Sequence, residues 1–292
     1  MSGSISTQLS EPNTKSKMQL VNTMMRIGRC PLCRRDGQEL QDSHFQPAGV
    51  YRVLRDETES NPNPFRFSDE GVFQDSRQVS DYLLCRDCEQ RLSKNGENWF
   101  LAHCWRKNQF RLASLLDSAI PPAVYPRMRI YHAAMIPGLN VTALTYFAAS
   151  MFWRASVHRW EIARSKFRGI ELGPYEEQLR EYLMSESPFP DSCALLVSVP
   201  ENVKIIAGLS LTPYGGRKGT HHAYKLVVLG VGFHLLIGRQ IPRGLRAMCL
   251  VRGVGNPICR TDMLEQAIMQ DLSLKFSQHP QLLDRPKGSA SA

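Results

Sequence analysis

The 292-residue chain has no long hydrophobic run. Its two most apolar stretches, GLNVTALTYFAASMFW and YKLVVLGVGFHLLIG, fall short of the ~18 uninterrupted apolar residues that a membrane-spanning helix needs, and His234 interrupts the second. The opening MSGSISTQLSEPNTKSKMQL has no apolar segment of secretory length, so residues 1–25 read as a disordered leader. The expectation is a cytoplasmic protein with no membrane contact, in which the eight cysteines serve as thiols and metal ligands rather than disulfides. Internal repeats are absent. So are a Gly-x-Ser-x-Gly elbow and a dinucleotide fingerprint. TPYGGRKGTHH holds Gly215, Gly216 and Gly219 beside Arg217 and Lys218, but it lacks phosphate-loop spacing and no helix follows, so it reads as the loop of a hairpin. His221 and His222 would then point to opposite faces of a strand and share no metal.

Acidic residues are scarce in one region. The formal net charge is +9, yet residues 1–110 carry 15 Lys/Arg against 14 Asp/Glu, and residues 121–170 carry 7 against 1. Such an excess attracts polyanions, nucleic acid above all; it also serves solubility without any partner. The candidate phosphate-holding residues are Arg127, Arg129, Arg154, Arg164, Lys166 and Arg168.

The composition, 42% hydrophobic and 22% charged, is that of a globular chain. A module over 26–115 is expected, with prolines 121, 122 and 126 marking the boundary to a basic α+β domain over 121–280 and a disordered tail over 281–292. A polar insertion with turn formers at Asn61 to Pro64 interrupts the module. Residues 139–168 read as one helix, with Trp153, Val157, Trp160 and Phe167 on its core face and Arg154, His158, Glu161, Ser165 and Arg168 on a polar stripe. PYEEQLREYLMS is a shorter helix with Pro174 at its start. CALLVSV, KIIAGLSL, AYKLVVLG and VGFHLLIG are short, branched runs expected as strands, and TDMLEQAIMQDLSLKF as a last helix.

Two C-x-x-C pairs, Cys30/Cys33 in CPLC and Cys85/Cys88 in LLCRDCE, lie about fifty residues apart. Four soft thiolates suit tetrahedral zinc. The first pair fits a knuckle shaped by Pro31 and Gly37; the second opens a helix, where the positive end of the dipole favours the thiolate. Cys104, Cys193, Cys249 and Cys259 have no partner at ligand spacing and read as buried thiols, and His103 beside Cys104 points elsewhere on its helix.

The order CPLC, then SHFQP, then LLCRDCEQRLSK resembles the HNH, or His-Me finger, group of treble-clef endonucleases, over about 75 residues. It is also similar to a group of bacterial proteins with SH and CE at these positions. The resemblance implies a treble-clef zinc module and a metal-dependent endonuclease; the helix and strand patterns that follow it make the whole α+β, with a mixed helix and antiparallel-sheet domain after the module. By the resemblance, His44 is the general base and Glu89 the ligand of a catalytic Mg²⁺ or Mn²⁺, with zinc structural. Departures from the pattern are Ser43 where the family carries Asp, Glu89 where it carries His or Asn, and no counterpart of the middle Asn. Structural roles remain open for both: His44 bonded near the zinc, Glu89 facing solvent at a helix N-terminus. The rival to nucleic-acid chemistry is a non-catalytic protein whose zinc only staples the module and whose larger domain binds a protein or ligand.

Overall fold

The computed structural model describes residues 26–55, 65–68, 71–74, 78–107, 109–162, 165–166, 169–201 and 210–261, with scattered positions between 263 and 277. The expected leader and tail, most of KIIAGLSL and most of the last helix lie outside them. The fold is mixed α+β. Among the described residues no helix is long and apolar enough to cross a membrane.

The N-terminal part is built on a three-stranded sheet ordered β1 (Arg26–Gly28), β2 (Gln38–His44) and β5 (Ser80–Cys85), all antiparallel. Between β2 and β5 come α1 (Ala48–Leu54) and a small hairpin, β3 (Phe65–Ser68) with β4 (Gly71–Gln74), within the polar insertion. From the end of β5 the chain turns into α2 (Arg86–Leu92), continues through a π-helical turn (Ser93–Glu97) and leaves as α3 (Asn98–His103). A short hairpin, β6 (Trp105–Arg106) and β7 (Gln109–Phe110), and α4 (Arg111–Asp117) lead onward.

The second part is a seven-stranded sheet. It collects β8 (Ala123–Tyr125), β9 (Met128–His132), β12 (Cys193–Val199), β13 (Ser210–Lys218), β14 (His221–Val228), β15 (Val231–Ile237) and β16 (Pro257–Thr261) in the order β13-β14-β15-β12-β16-β9-β8. It is antiparallel except that β12 and β16 run parallel. Helices α5 (Val141–Val157) and α6 (Tyr175–Met184) fall between β9 and β12, and the five-residue α7 (Arg243–Ala247) follows β15. Helix α5 is buried all round from Ala143 to Ala155, mostly through apolar side chains, which marks it as a central helix rather than a surface one. One contiguous buried cluster runs from Cys30 and Leu32 through Phe147 and Trp153 to Phe233 and Ile258, so both parts contribute to the same core.

The helix expected over 139–168 ends at Val157. His158 is already extended, at φ −136 and ψ 145. The Nε1–H of Trp160 donates to the Arg154 carbonyl at 3.0 Å, taking the acceptor that a further helical N–H would have used. The chain then forms a short hairpin, β10 (Glu161–Ile162) with β11 (Ser165–Lys166), so the indole of Trp160 is buried from outside the helix. TPYGGRKGTHH also differs from expectation. It is strand over most of its length, with a bulge between Leu211 and Tyr214, and only Gly219 and Thr220 turn.

Gly96, inside the π turn, fixes how closely α5 approaches. A Cβ there would fall 2.7 Å from the Phe147 amide nitrogen and 2.9 Å from its Cα, both backbone atoms that cannot rotate away. Gly96→Ala must therefore push the helices apart, and overpacking of this kind costs about 1–3 kcal/mol. The expected outcome is a clearly lowered midpoint of thermal unfolding; an unchanged midpoint would contradict the close approach.

Candidate metal centre and the buried carboxylate site

The knuckle turn between β1 and β2 carries Cys30 and Cys33. Arg34 N–H donates to the Cys30 carbonyl at 2.8 Å, and the left-handed backbone at Arg34 (φ 60) and Gly37 (φ 66) reverses the chain. Cys85 ends β5 and serves as the N-cap of α2, with Cys88 in the first helical turn. Register does the rest: Leu40 of β2 faces Cys85, which brings the helix start back to the knuckle. The sulfur atoms of Cys30, Cys33, Cys85 and Cys88 all lie within 4.8 Å of one another. The Cys33 and Cys85 sulfurs are 3.8 Å apart, about the edge of a tetrahedron with metal–sulfur bonds of about 2.3 Å. Cys85 N–H points at the Cys30 sulfur at 3.4 Å and Arg35 Nε at that of Cys33 at 3.5 Å, the kind of donor that stabilises bound thiolate.

Protonation makes the same point. The Cys30 thiol is drawn down to about 4, first by its hydrogen bond with Cys88, while Cys88 is pushed up through that bond and Cys85 by burial. Sharing protons in this way stabilises one thiolate at the expense of its neighbours. Four simultaneous thiolates at these spacings require a cation, and the donor set fits one that prefers sulfur. Burial instead pushes the Cys104 and Cys193 thiols up to about 12 and that of Cys259 to about 11, and none of the three joins the sulfur cluster.

The second constellation lies further along α2. Arg154 of α5 is 1% exposed, and its guanidinium joins three elements. Nη1 donates to the His44 carbonyl at the end of β2 at 3.2 Å. Nη2 lies 2.9 Å from Glu97 Oε1 and 3.6 Å from Glu89 Oε2. Glu89 is therefore an inward, half-buried carboxylate rather than a solvent-facing helix residue. His44 reaches this guanidinium through its main-chain carbonyl and not its imidazole, and its ring does not join Glu89 and Glu97 in a group of donors within 4.8 Å.

Sequence reasoning missed Glu97, which is 9% exposed. In a straight α-helix the step from Glu89 to Glu97 overshoots two turns by about 80°. The π turn absorbs one residue, so Glu97 lands roughly where an i+7 position would, within about 20° of the face that carries Glu89. The one signal available in sequence was a glycine, Gly96, beside an acid in mid-helix.

This site is short of positive charge. Burial pushes the Glu97 carboxyl above its usual range and the neighbouring Glu89 charge adds to that, against the pull of Arg154 and of His44. Oε1 of Glu89, Oε1 of Glu97 and Nε of Arg154 are buried without an aligned hydrogen-bond partner among the described residues. One guanidinium faces two carboxylates, leaving a demand for a proton or a further cation. Among the described residues, however, the four cysteines form the one group of three or more potential metal donors gathered as closely as 4.8 Å.

Ser43 is 1% exposed and serves the sheet: its Oγ accepts from Leu84 N–H at 3.0 Å and donates to the Gln41 carbonyl at 3.3 Å. The expected phosphate-holding arginines are corrected in part. Arg154 is interior and unavailable to any polyanion. Arg129 is clamped by Glu201, with Nε 2.9 Å from Oε1, and lies 4.0 Å from Asp117. Arg127 donates to Gln266. Arg164 and Arg168 lie outside the described residues, and only the backbone of Lys166 is described. Comparison with family models, curated proteins and solved structures returned no match.

Cys85→Ser should remove metal and stability together, since the staple closes the knuckle, the β2–β5 pair and α2 in one cross-link. Metal analysis of wild type should find one equivalent of a thiophilic ion. The variant should lose it and unfold at a lower temperature, whereas full metal content in the variant would exclude Cys85 as a ligand.

Proposed function

We propose that this chain is a cytoplasmic, zinc-stapled treble-clef protein of the HNH-like kind that acts on the phosphodiester backbone of nucleic acid. Support for the zinc reading comes from the thiolate chemistry and the 3.8 Å sulfur separation. Support for the treble clef comes from the order of knuckle, antiparallel β2–β5 pair and helix α2, with one dithiol on the knuckle and the other at the helix start. The single observation that carries the hydrolytic reading is the pair of under-neutralised carboxylates, Glu89 and Glu97, on one guanidinium that also takes the main-chain carbonyl of His44.

In this reading His44 would take the proton of an attacking water, and Glu89 and Glu97 are the residues that would hold a hard divalent cation. Glu97 supplies from the helix the second carboxylate that Ser43 does not supply from the strand. A bound Mg²⁺ or Mn²⁺ would neutralise charge building on the scissile phosphate. Arg154, paired with both carboxylates, would offset part of their charge.

One observation favours the non-catalytic reading: Arg154 already stands between the two carboxylates, where it can serve permanently in place of a divalent ion. The zinc module is then only a staple for a larger binding domain. Plasmid and RNA cleavage with Mg²⁺ or Mn²⁺ separates the two. His44→Ala should lose cleavage by about a hundredfold or more, the usual worth of a general base, with zinc content and melting temperature unchanged. Wild-type protein that cuts neither substrate with either ion would leave the stapled binding protein as the account.

A further inference from the structure

Acidic residues vanish from a stretch outside the site. Between Glu201 and Asp262 the chain has no Asp or Glu, yet it holds Lys204, Arg217, Lys218, Lys225, Arg239, Arg243, Arg246, Arg252 and Arg260. The fold buries or pairs some of these: Arg260 is 3% exposed against Asp117, and Arg252 pairs with Asp191 at 2.8 Å. Four others, Arg217, Lys218, Arg239 and Arg243, are exposed and gather at one end of the sheet.

Strand register brings them there. Arg217 and Lys218 end β13 opposite His222 and His221 of β14, and His222 in turn faces Ile237 at the end of β15. The Gly219–Thr220 turn folds against the exit of β15: Thr220 Oγ1 donates to the Gln240 carbonyl at 3.0 Å, and Gly238 packs on His221, where a Cβ would meet its Cα at 3.2 Å. Arg239 and Arg243 therefore lie beside the Arg217–Lys218 tip. Among the described residues no carboxylate pairs with any of the four; Arg217 Nε donates only to the Gly219 carbonyl, at 3.2 Å. Among the described residues two acids reach this end, Asp191, paired with Arg252, and Glu171, an exposed carboxylate near Tyr224; neither pairs with any of the four.

We infer that this tip of the sheet, formed by Arg217, Lys218, Arg239 and Arg243, is a docking surface for the phosphate backbone of nucleic acid. The inference rests on the nucleic-acid reading above and moves the contact surface away from the arginines at 127–168. Three of the four are arginines, whose planar forks match phosphate oxygens in pairs. An anionic membrane fits less well, because interfacial binding also needs an apolar face. Among the described residues the exposed large apolar side chains on β13 and α7 are Tyr214 and Leu245, each at 37%; Val254 and Met135, exposed at the same end of the strands, lie just before β16 and just after β9, away from the β13–β14 turn in the strand order.

The test is fluorescence anisotropy of the full chain with a short random-sequence duplex and its single strand, across a salt series without added Mg²⁺ or Mn²⁺. Wild type and His44→Ala should bind alike, which separates docking from cleavage. Combined Arg217→Ala, Lys218→Ala, Arg239→Ala and Arg243→Ala should weaken duplex binding at least about tenfold and flatten the slope of log affinity against log salt by about 3 to 4, given roughly 0.9 per phosphate contact. The matching variant with all three arginines changed to lysine should keep the slope, and unchanged melting temperatures should show both variants folded. Wild-type affinity and slope in the alanine variant would overturn the assignment while leaving nucleic-acid binding in place. Binding to anionic vesicles but to neither nucleic acid would overturn it together with the reading it rests on.

Discussion

A single buried guanidinium ties this molecule together. Arg154 reaches from the central helix α5 to the carbonyl that ends β2 and to two carboxylates on the α2–α3 helix, while its own carbonyl accepts the Trp160 indole that ends α5. Burying an unpaired charge costs several kcal/mol, so this arrangement survives only because each partner sits where the others need it. Gly96 makes that possible by letting α5 and the π turn touch backbone to backbone, and the π turn swings Glu97 onto the face that Glu89 already occupies. Stability, geometry and any chemistry of the site share the same few atoms.

The sulfur cluster solves a different problem. The segment between the two dithiols is long and interrupted by a polar insertion, and closing a chain of that length costs entropy that Phe45, Val50, Val79 and Leu84 offset only in part. The four sulfurs meet at one point, where the β2–β5 register already brings the chain ends together and where a metal would close the segment. The two devices are neighbours: Cys88 and Glu89 are adjacent, so the helix that completes the sulfur site also aims its carboxylate at Arg154. A metal on the first α2 turn would thereby fix the position of the second site.

Much of the metal centre was legible because ligand spacing is local and its chemistry is specific: CPLC and LLCRDC needed only to meet, and they do. The strands CALLVSV, AYKLVVLG and VGFHLLIG were readable for a similar reason, their branched runs being bounded by glycine and proline. What failed was long-range. The polar stripe of the expected 139–168 helix looked solvent-facing, because a sequence does not say that Arg154 will meet two acids from another helix. Trp160 carried helical periodicity, yet its indole N–H captures a helix carbonyl and ends the segment. The acid-free run after Glu201 was visible in the letters but lacked meaning until strand register brought residues 217–218 beside 239–243.

The most direct test of this account is a double-mutant cycle between Arg154→Met and Glu97→Gln, read by denaturant unfolding with metal content monitored. Removing the guanidinium leaves two buried carboxylates facing each other, and the loss should be about 3–5 kcal/mol. Adding Glu97→Gln should return a substantial part of that loss, because one of the stranded charges goes with it. Arg154→Met protein as stable as wild type, or no recovery in the double variant, would contradict the claim that this buried arginine organises the fold and its candidate site.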